Sequence, residues 1–246
     1  MAVRYRVLAL DLDGTTLNAQ GRVSRKTRYW LRKAAEAGVT LICATGRGYP
    51  RAKEIWETAF PGSPAVLANG AEIWLNPETL LERYYMERED VLRLHRLAEE
   101  TGGSFWAYNT TGMVRGHQLK GEDLGDGWYK CGIYHADRAT VEELWRIVGS
   151  WENVSVTTSH PLMLEVAAKG ISKRSGVERL CRELGVPMKE VMAVGDSLND
   201  VELLQGVGLG VAMGNAGSEV KKAADRVTRS HRANGVAWAI RKYLLY

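Results

Sequence analysis

Residues 7–17 read VLALDLDGTTL. Four apolar residues, the composition of a strand buried on both faces, run directly into Asp11, and a second aspartate, Asp13, follows two positions later. Two carboxylates this close repel. In a dry site one of them takes up a proton unless a cation lies between them or water reaches both. Asp13-Gly14 is also an ordinary turn pair. The stretch alone therefore leaves two readings open, a loop closure or one wall of an ion site, and the surrounding pattern has to separate them.

That pattern is an alternation of strands and helices. The strand at about 4–11 is followed by a helix over 24–37, with Ser24 as N-cap and Gly38 past its end. Then come a buried strand VTLICAT (39–45), a helix from Pro50 to about Phe60, a strand AVLAN (65–69) and a hairpin turning at Asn76-Pro77. The alternation resumes with a helix over 173–185, the strand EVMAVGD, a short helix in SLNDVELLQ, the strand GLGVAM, and helices near 217–224 and 235–245. This order predicts an α/β fold, a Rossmann-like doubly wound parallel sheet covered on both faces.

The middle of the chain differs. A helix over 88–101 ends at Gly102; the strands SFWAYN, MVRGH and WYKCGIYHA, a helix over 138–149, and the strands VSVTTS and LMLEVAA follow. This reads as a small α+β module inserted into the body. Charge follows the same division: residues 82–168 carry a net −5 and the remainder a net +9. The expected organisation is a catalytic core of residues 1–82 and 168–246 with an inserted α+β cap over 83–167.

Composition narrows the function classes. The chain has 246 residues, 45% hydrophobic and 25% charged, the balance of a globular protein. No apolar run has the length of a membrane span, and the N-terminal segment does not read as a signal peptide. The three cysteines, Cys43, Cys131 and Cys181, are far apart and odd in number, which predicts reduced thiols and a cytoplasmic location. A net charge of +4 is too mild to argue for nucleic acid. The expected partner is a small molecule, with no membrane and no nucleic acid, for a monomer or a homodimer.

Polar residues collect directly after predicted body strands: Asp11 and Asp13; Thr45, Gly46 and Arg47 in ATGR; Lys173 at the head of a helix; and Asp196, Asn199 and Asp200 in GDSLND. Ligands of an open parallel sheet bind at the carboxyl ends of its strands, so these clusters converge. Asp11, Asp13, Asp196 and Asp200 offer hard oxygen ligands suited to Mg²⁺. Thr45, the Gly46 amide and Lys173 are donors suited to phosphate oxygens. Together they describe phosphoryl transfer.

In DLDGTTL, ATGR, the helix-opening lysine, GDSLND and VAMGNA, taken in that order, the chain resembles the haloacid dehalogenase superfamily, subfamily IIB, the sugar-phosphate-phosphatase-like group. The resemblance implies a Mg²⁺-dependent phosphatase of small phosphorylated metabolites such as sugar phosphates or phosphoglycolate. It implies Asp11 as the nucleophile forming an aspartyl-phosphate and Asp13 as general acid, then base. The implied metal ligands are the Asp11 side chain, the Asp13 backbone carbonyl and Asp196, with Asp200 through water. Thr45, Gly46, Lys173 and Asn199 are the implied phosphate contacts. Two departures bear on this carry-over: Arg174 follows the motif lysine where glycine is frequent, and Thr16 stands where an apolar residue is common; Lys169, four residues earlier, is a rival for the role of Lys173.

Plainer readings stand beside these. Asp196 can be an N-cap and Asp200 a solvent-facing helix residue. Thr45-Gly46 can be a strand-to-helix turn. Arg47 either binds substrate or pairs with a body carboxylate, and Asn215 orients a loop. In the cap, Arg115, His117, Lys130 and His135 are the candidate substrate donors, and Trp106, Tyr108, Trp128 and Tyr134 fit a core or a sheet face. The competing functions are a phosphomutase of the same fold and a phospho-receiver-like signalling or binding protein. The receiver is disfavoured because it is about half this length and has no place for the inserted module.

Overall fold

The computed structural model of the protein describes residues 4–118 and 126–246. In chain order, the strands and helices up to the insertion are β1 (Val7–Leu10), α1 (Arg25–Glu36), β2 (Thr40–Ala44), α2 (Tyr49–Ala59), β3 (Ala65–Leu67), β4 (Glu72–Asn76) and β5 (Thr79–Arg83). Next are α3 (Arg88–Thr101), β6 (Ser104–Asn109), β7 (Gly112–Arg115), β8 (Lys130–Tyr134), α4 (Arg138–Gly149), β9 (Val154–Thr157) and β10 (Met163–Ala168). The chain closes with α5 (Lys173–Leu184), β11 (Val191–Gly195), α6 (Val201–Gly206), β12 (Leu209–Ala212), α7 (Ser218–Ala223), β13 (Arg226–Val227) and α8 (Gly235–Ala239), which runs on into a wider helical turn to Leu245.

The helix starts follow local chemistry. Ser24 accepts the N–H of Thr27 at α1, Asp137 accepts that of Thr140 at α4, and α2 carries Pro50 in its first turn.

The chain divides into two compact units: residues through Glu82 together with Lys173–Tyr246, and Arg83–Ser172. The first is built on an eight-stranded sheet in the order β13-β12-β11-β1-β2-β3-β4-β5. From β13 to β3 neighbouring strands pair in parallel, and β4 turns antiparallel on β3. The parallel strands are buried on both faces. Leu8, Leu10, Leu41, Cys43, Met192 and Val194 join one continuous core with Leu31, Trp56 and Phe60. The chain leaves β1 toward β2 and β3, and after the insertion it returns to the other side of β1 as β11. The winding direction reverses between β1 and β11, and in an open parallel sheet such a reversal is where a crevice forms, at the carboxyl ends of the strands.

The second unit has its own five-stranded antiparallel sheet, β7-β6-β8-β10-β9. Phe105, Ala107, Cys131, Ile133, Leu164 and Val166 lie in one core with Leu94 of α3 and Leu144 and Val148 of α4. Because β10 pairs with both β8 and β9, the chain stays in this unit until Ser172.

Candidate active site

The turn after β1 brings the first carboxylate to the crevice. Thr16 donates both its N–H and its hydroxyl to the Asp11 carbonyl, at 3.2 and 2.6 Å, and the Leu17 N–H donates to the Leu12 carbonyl at 2.9 Å. Gly14 stands at φ +75°, and a Cβ there would overlap the Asp196 carboxylate, so this turn lies directly on the loop after β11. Thr15 donates its hydroxyl to Asp196 Oδ1 at 2.9 Å. Asn215 Nδ2 donates to the Gly14 carbonyl at 2.9 Å and to Asp196 Oδ2 at 3.2 Å, and its Oδ1 accepts the His231 N–H at 2.9 Å. Asn215 is thus the loop tie that its sequence position suggested.

Lys173 opens α5 with its side chain fully buried. Its ammonium donates to Asp11 Oδ1 at 2.7 Å, to Asp200 Oδ1 at 2.6 Å and to Asn199 Oδ1 at 3.4 Å. Lys169 is exposed in the other unit, so Lys173 is the lysine that meets Asp11. Asp200 is buried, not solvent-facing. Its Oδ2 accepts the N–H groups of Asp196 and Ser197 at 3.0 and 3.1 Å. Ser197 caps the short turn with Asp200 as its reciprocal partner, so Asp196 is spared that task.

Thr45 directly follows β2 and is buried. Its carbonyl accepts the Asn69 N–H at 3.0 Å, and its hydroxyl accepts the Arg47 N–H at 3.2 Å. Gly46 follows it, half-buried. Asn69, in the turn after β3, accepts Asn199 Nδ2 at 3.1 Å and so ties the third strand to the GDSLND loop. Asn69 and Thr15 escaped the sequence reading. The signal for Asn69 was its place at the carboxyl end of the predicted strand AVLAN; nothing in DGTT marked Thr15 beyond its neighbours.

Asp13 does not join the other carboxylates. Its exposed side chain is gripped by Arg47, with Nε on Oδ2 at 2.7 Å and Nη2 on Oδ1 at 2.6 Å. Of the two roles open to Arg47, pairing with a body carboxylate is the one seen. The remaining candidates lie in the inserted unit. Arg115 and His117 are exposed and His135 is half-buried. Lys130, expected as a substrate donor, is buried and paired with Glu165 at 2.9 Å, and Ser159 donates to the same carboxylate at 2.7 Å. Alternation along β8 places Lys130 opposite the cored Cys131, but the far side of that strand is buried too.

Asp11, Asp196 and Asp200 each place a carboxylate oxygen within 4.8 Å of the others. One ammonium faces three carboxylates, and the imbalance shows in their acidities. Burial pushes Asp11 up to about 8, with Asp200 and Asp196 adding and Lys173 opposing. Burial and Asp200 push Asp196 up to about 6, against the Thr15 bond and Lys173. The excess negative charge and all-oxygen donor set fit a hard divalent cation.

A pH dependence follows. Both folded-state values lie above the ordinary 3.8, so the stability these two groups contribute to the metal-free protein is present at low pH and is lost as pH rises toward about 8. A cation needs the ionised forms. Its affinity should tighten from pH 5.5 to 8 with release of protons, and Mg²⁺ should raise the melting temperature more at pH 8 than at pH 5.5. Titration calorimetry in two buffers of different ionisation heat checks this; pH-independent binding would refute it.

Comparison with known proteins gives the family and the fold. A family model described as haloacid dehalogenase-like hydrolase matches residues 8–130 and 120–240. The chain is 34% identical over 244 residues to the 5-amino-6-(5-phospho-D-ribitylamino)uracil phosphatase YcsE of Bacillus subtilis, covering 99% of this chain and 97% of that protein. Among solved structures, a haloacid dehalogenase-like hydrolase from B. subtilis superposes with TM-score 0.89 at 24% identity, over 97% of this chain and 100% of the other. The subclass IIB sugar phosphatase BT4131 superposes with TM-score 0.84 at 21% identity, over 97% of this chain and 98% of the other.

Proposed function

Because this chain belongs to the haloacid dehalogenase-like hydrolases, and is a phosphoric monoester hydrolase of that family, we propose that it releases phosphate from small phosphorylated metabolites through a phosphoaspartate on Asp11. The observation that carries the reading is the buried contact of Lys173 with Asp11 at the reversal point of the sheet. Lys173 holds one Asp11 oxygen and leaves the other for phosphorus.

In the first half-reaction that oxygen bonds to phosphorus, the bond from phosphorus to the leaving oxygen breaks, and Asp13 gives the leaving oxygen a proton. In the second, water attacks the same phosphorus, Asp13 takes its proton, and the bond to Asp11 breaks. The products are inorganic phosphate and the free carboxylate. Thr45, the Gly46 N–H, Asn199 and Lys173 hold the phosphoryl oxygens.

Mg²⁺ is the cation proposed for the acidic cluster. Asp11, Asp196 and the Asp13 carbonyl would hold it, and Asp200, with both oxygens already hydrogen-bonded, orients its neighbours or acts through water. When bound, it supplies positive charge for the phosphoryl oxygens. The cytoplasm suits the three free, buried cysteines. Among the described residues no helix is long and apolar enough to cross a membrane.

The test is phosphate release across sugar phosphates, phosphoglycolate and a phosphoribitylaminouracil, with Mg²⁺ and with a chelator. We expect release only with Mg²⁺, and one small substrate with kcat/KM above about 10⁴ M⁻¹s⁻¹. Undiminished release in the chelator would refute the cation's role. Efficient dephosphorylation of a folded phosphoprotein would refute the substrate class. Phosphoryl transfer without net release would make the enzyme a mutase.

A further inference from the structure

We infer that Arg47 is a positioning residue for the proton transfers: it acts through Asp13, setting where that carboxyl stands. The inference rests on the reading of Asp13 as acid and base. Arg47 meets both Asp13 oxygens with a planar fork, at 2.6 and 2.7 Å, which fixes the plane of the carboxylate as well as its distance.

The fork is itself held. Nη1 donates to the Arg51 carbonyl at 3.3 Å, the Arg47 N–H donates to Thr45 Oγ1 at 3.2 Å, and its carbonyl accepts the Ala68 N–H at 2.8 Å. Arg47 is therefore tied to the end of β2, the first turn of α2 and the turn after β3. That last turn keeps two non-glycine residues, Ala68 and Asn69, at φ +51° and +58°.

The two partners are unequal. The Arg47 side chain is 21% exposed and that of Asp13 is 61% exposed. Without the fork, Asp13 is a short exposed side chain free to change rotamer, and a proton donor must stand within hydrogen-bond reach of the leaving oxygen. An exposed ion pair adds little to stability, so stability does not account for a fork whose guanidinium is also anchored on the α2 backbone and whose main chain is tied on both sides. The fork also suits a donor that must let go: one bond opens as the carboxyl turns to the leaving oxygen, and the other keeps its place. A lysine, a compact charge on a flexible stem, does not fix the plane of the carboxylate.

The test is the dependence of turnover on the leaving group. An alkyl phosphate such as glycerol phosphate expels an oxygen that needs a proton; 4-nitrophenyl phosphate expels one that does not. With saturating Mg²⁺, Arg47→Met should lower kcat/KM, which reports the first half-reaction, by about 10²-fold or more for the alkyl ester and by less than about tenfold for the aryl ester. Arg47→Lys should recover only part of the alkyl activity. The ratio of the two substrates, read on one preparation, does not depend on how much of the variant is folded.

Asp13→Asn separates the inference from the reading beneath it. If Asp13→Asn is selective for alkyl esters and Arg47→Met lowers both substrates equally, the inference falls and the acid role stands. If Asp13→Asn is itself unselective, the acid role falls and takes the inference with it. The double variant should be no slower than Asp13→Asn alone; additive losses would mean that Arg47 acts on substrate separately, and would overturn the inference.

Discussion

Asp11→Asn should abolish turnover while leaving the fold intact. Phosphate release should fall by about 10⁴-fold or more, as for loss of a nucleophile in a covalent mechanism. No phosphorylated protein should be trapped by acid quench with radiolabelled substrate. The change is nearly isosteric, and it removes a carboxylate that burial has pushed up to about 8. A buried acid with a raised value loses its stabilising contribution as pH rises through that value, so a neutral amide relieves the cost in the metal-free protein. Without metal at pH 8, the variant should melt no lower than the parent, and Lys173 keeps Asp200 as a partner. Turnover close to the parent's would replace the covalent route by direct attack of water.

Lys173→Met should damage both activity and stability. Among the described residues the ammonium is the one cation in direct contact with Asp11 and Asp200, and its removal leaves two buried carboxylates without it. Breaking a buried ion pair from one side costs about 3–5 kcal/mol, and loss of a preorganised phosphate donor costs about 10²–10³-fold in kcat. Chemical denaturation should show the first loss and steady-state kinetics the second. Mg²⁺ should return part of the stability, because positive charge among Asp11, Asp196 and Asp200 stands in for the lost ammonium. Lys169→Ala, at an exposed position, should stay within about 0.5 kcal/mol of the parent. Equal losses from the two lysines would move the phosphate contact to Lys169.

Much of the site was legible because a parallel sheet forces its strands to be apolar to their ends. A carboxylate or threonine directly after VLAL or TLICA is then conspicuous, and the topology carries it to the crevice. What stayed hidden had no local signature. The pairing of Arg47 with Asp13 joins residues 34 apart, and only the fold decides between that partner and a substrate. The grip of Lys173 on Asp200 depends on both being buried, which GDSLND does not announce. Lys130 sits in a strand where alternation leaves it off the cored face, yet the structure buries it against Glu165. β13 is two exposed residues at the sheet edge, too short to show a period.

The discontinuity of the body sets the order in which the molecule is built. The inserted unit is one contiguous stretch, Arg83–Ser172, whose strands find partners close in sequence. β1 obtains β2 early, through Val7 and Thr40, but its other neighbour waits for Val191, and the contact of Lys173 with Asp11 spans 162 positions. Pairings of such separation form slowly, because the intervening chain must be closed before they contribute. During synthesis Asp11 therefore leaves the ribosome long before Lys173 exists. The contiguous insertion can complete its own pairings first, and the cluster of Asp11, Lys173 and Asp200 is the last part to be assembled. A chain stopped before β11 can own a complete insertion and none of the acidic cluster beyond Asp11.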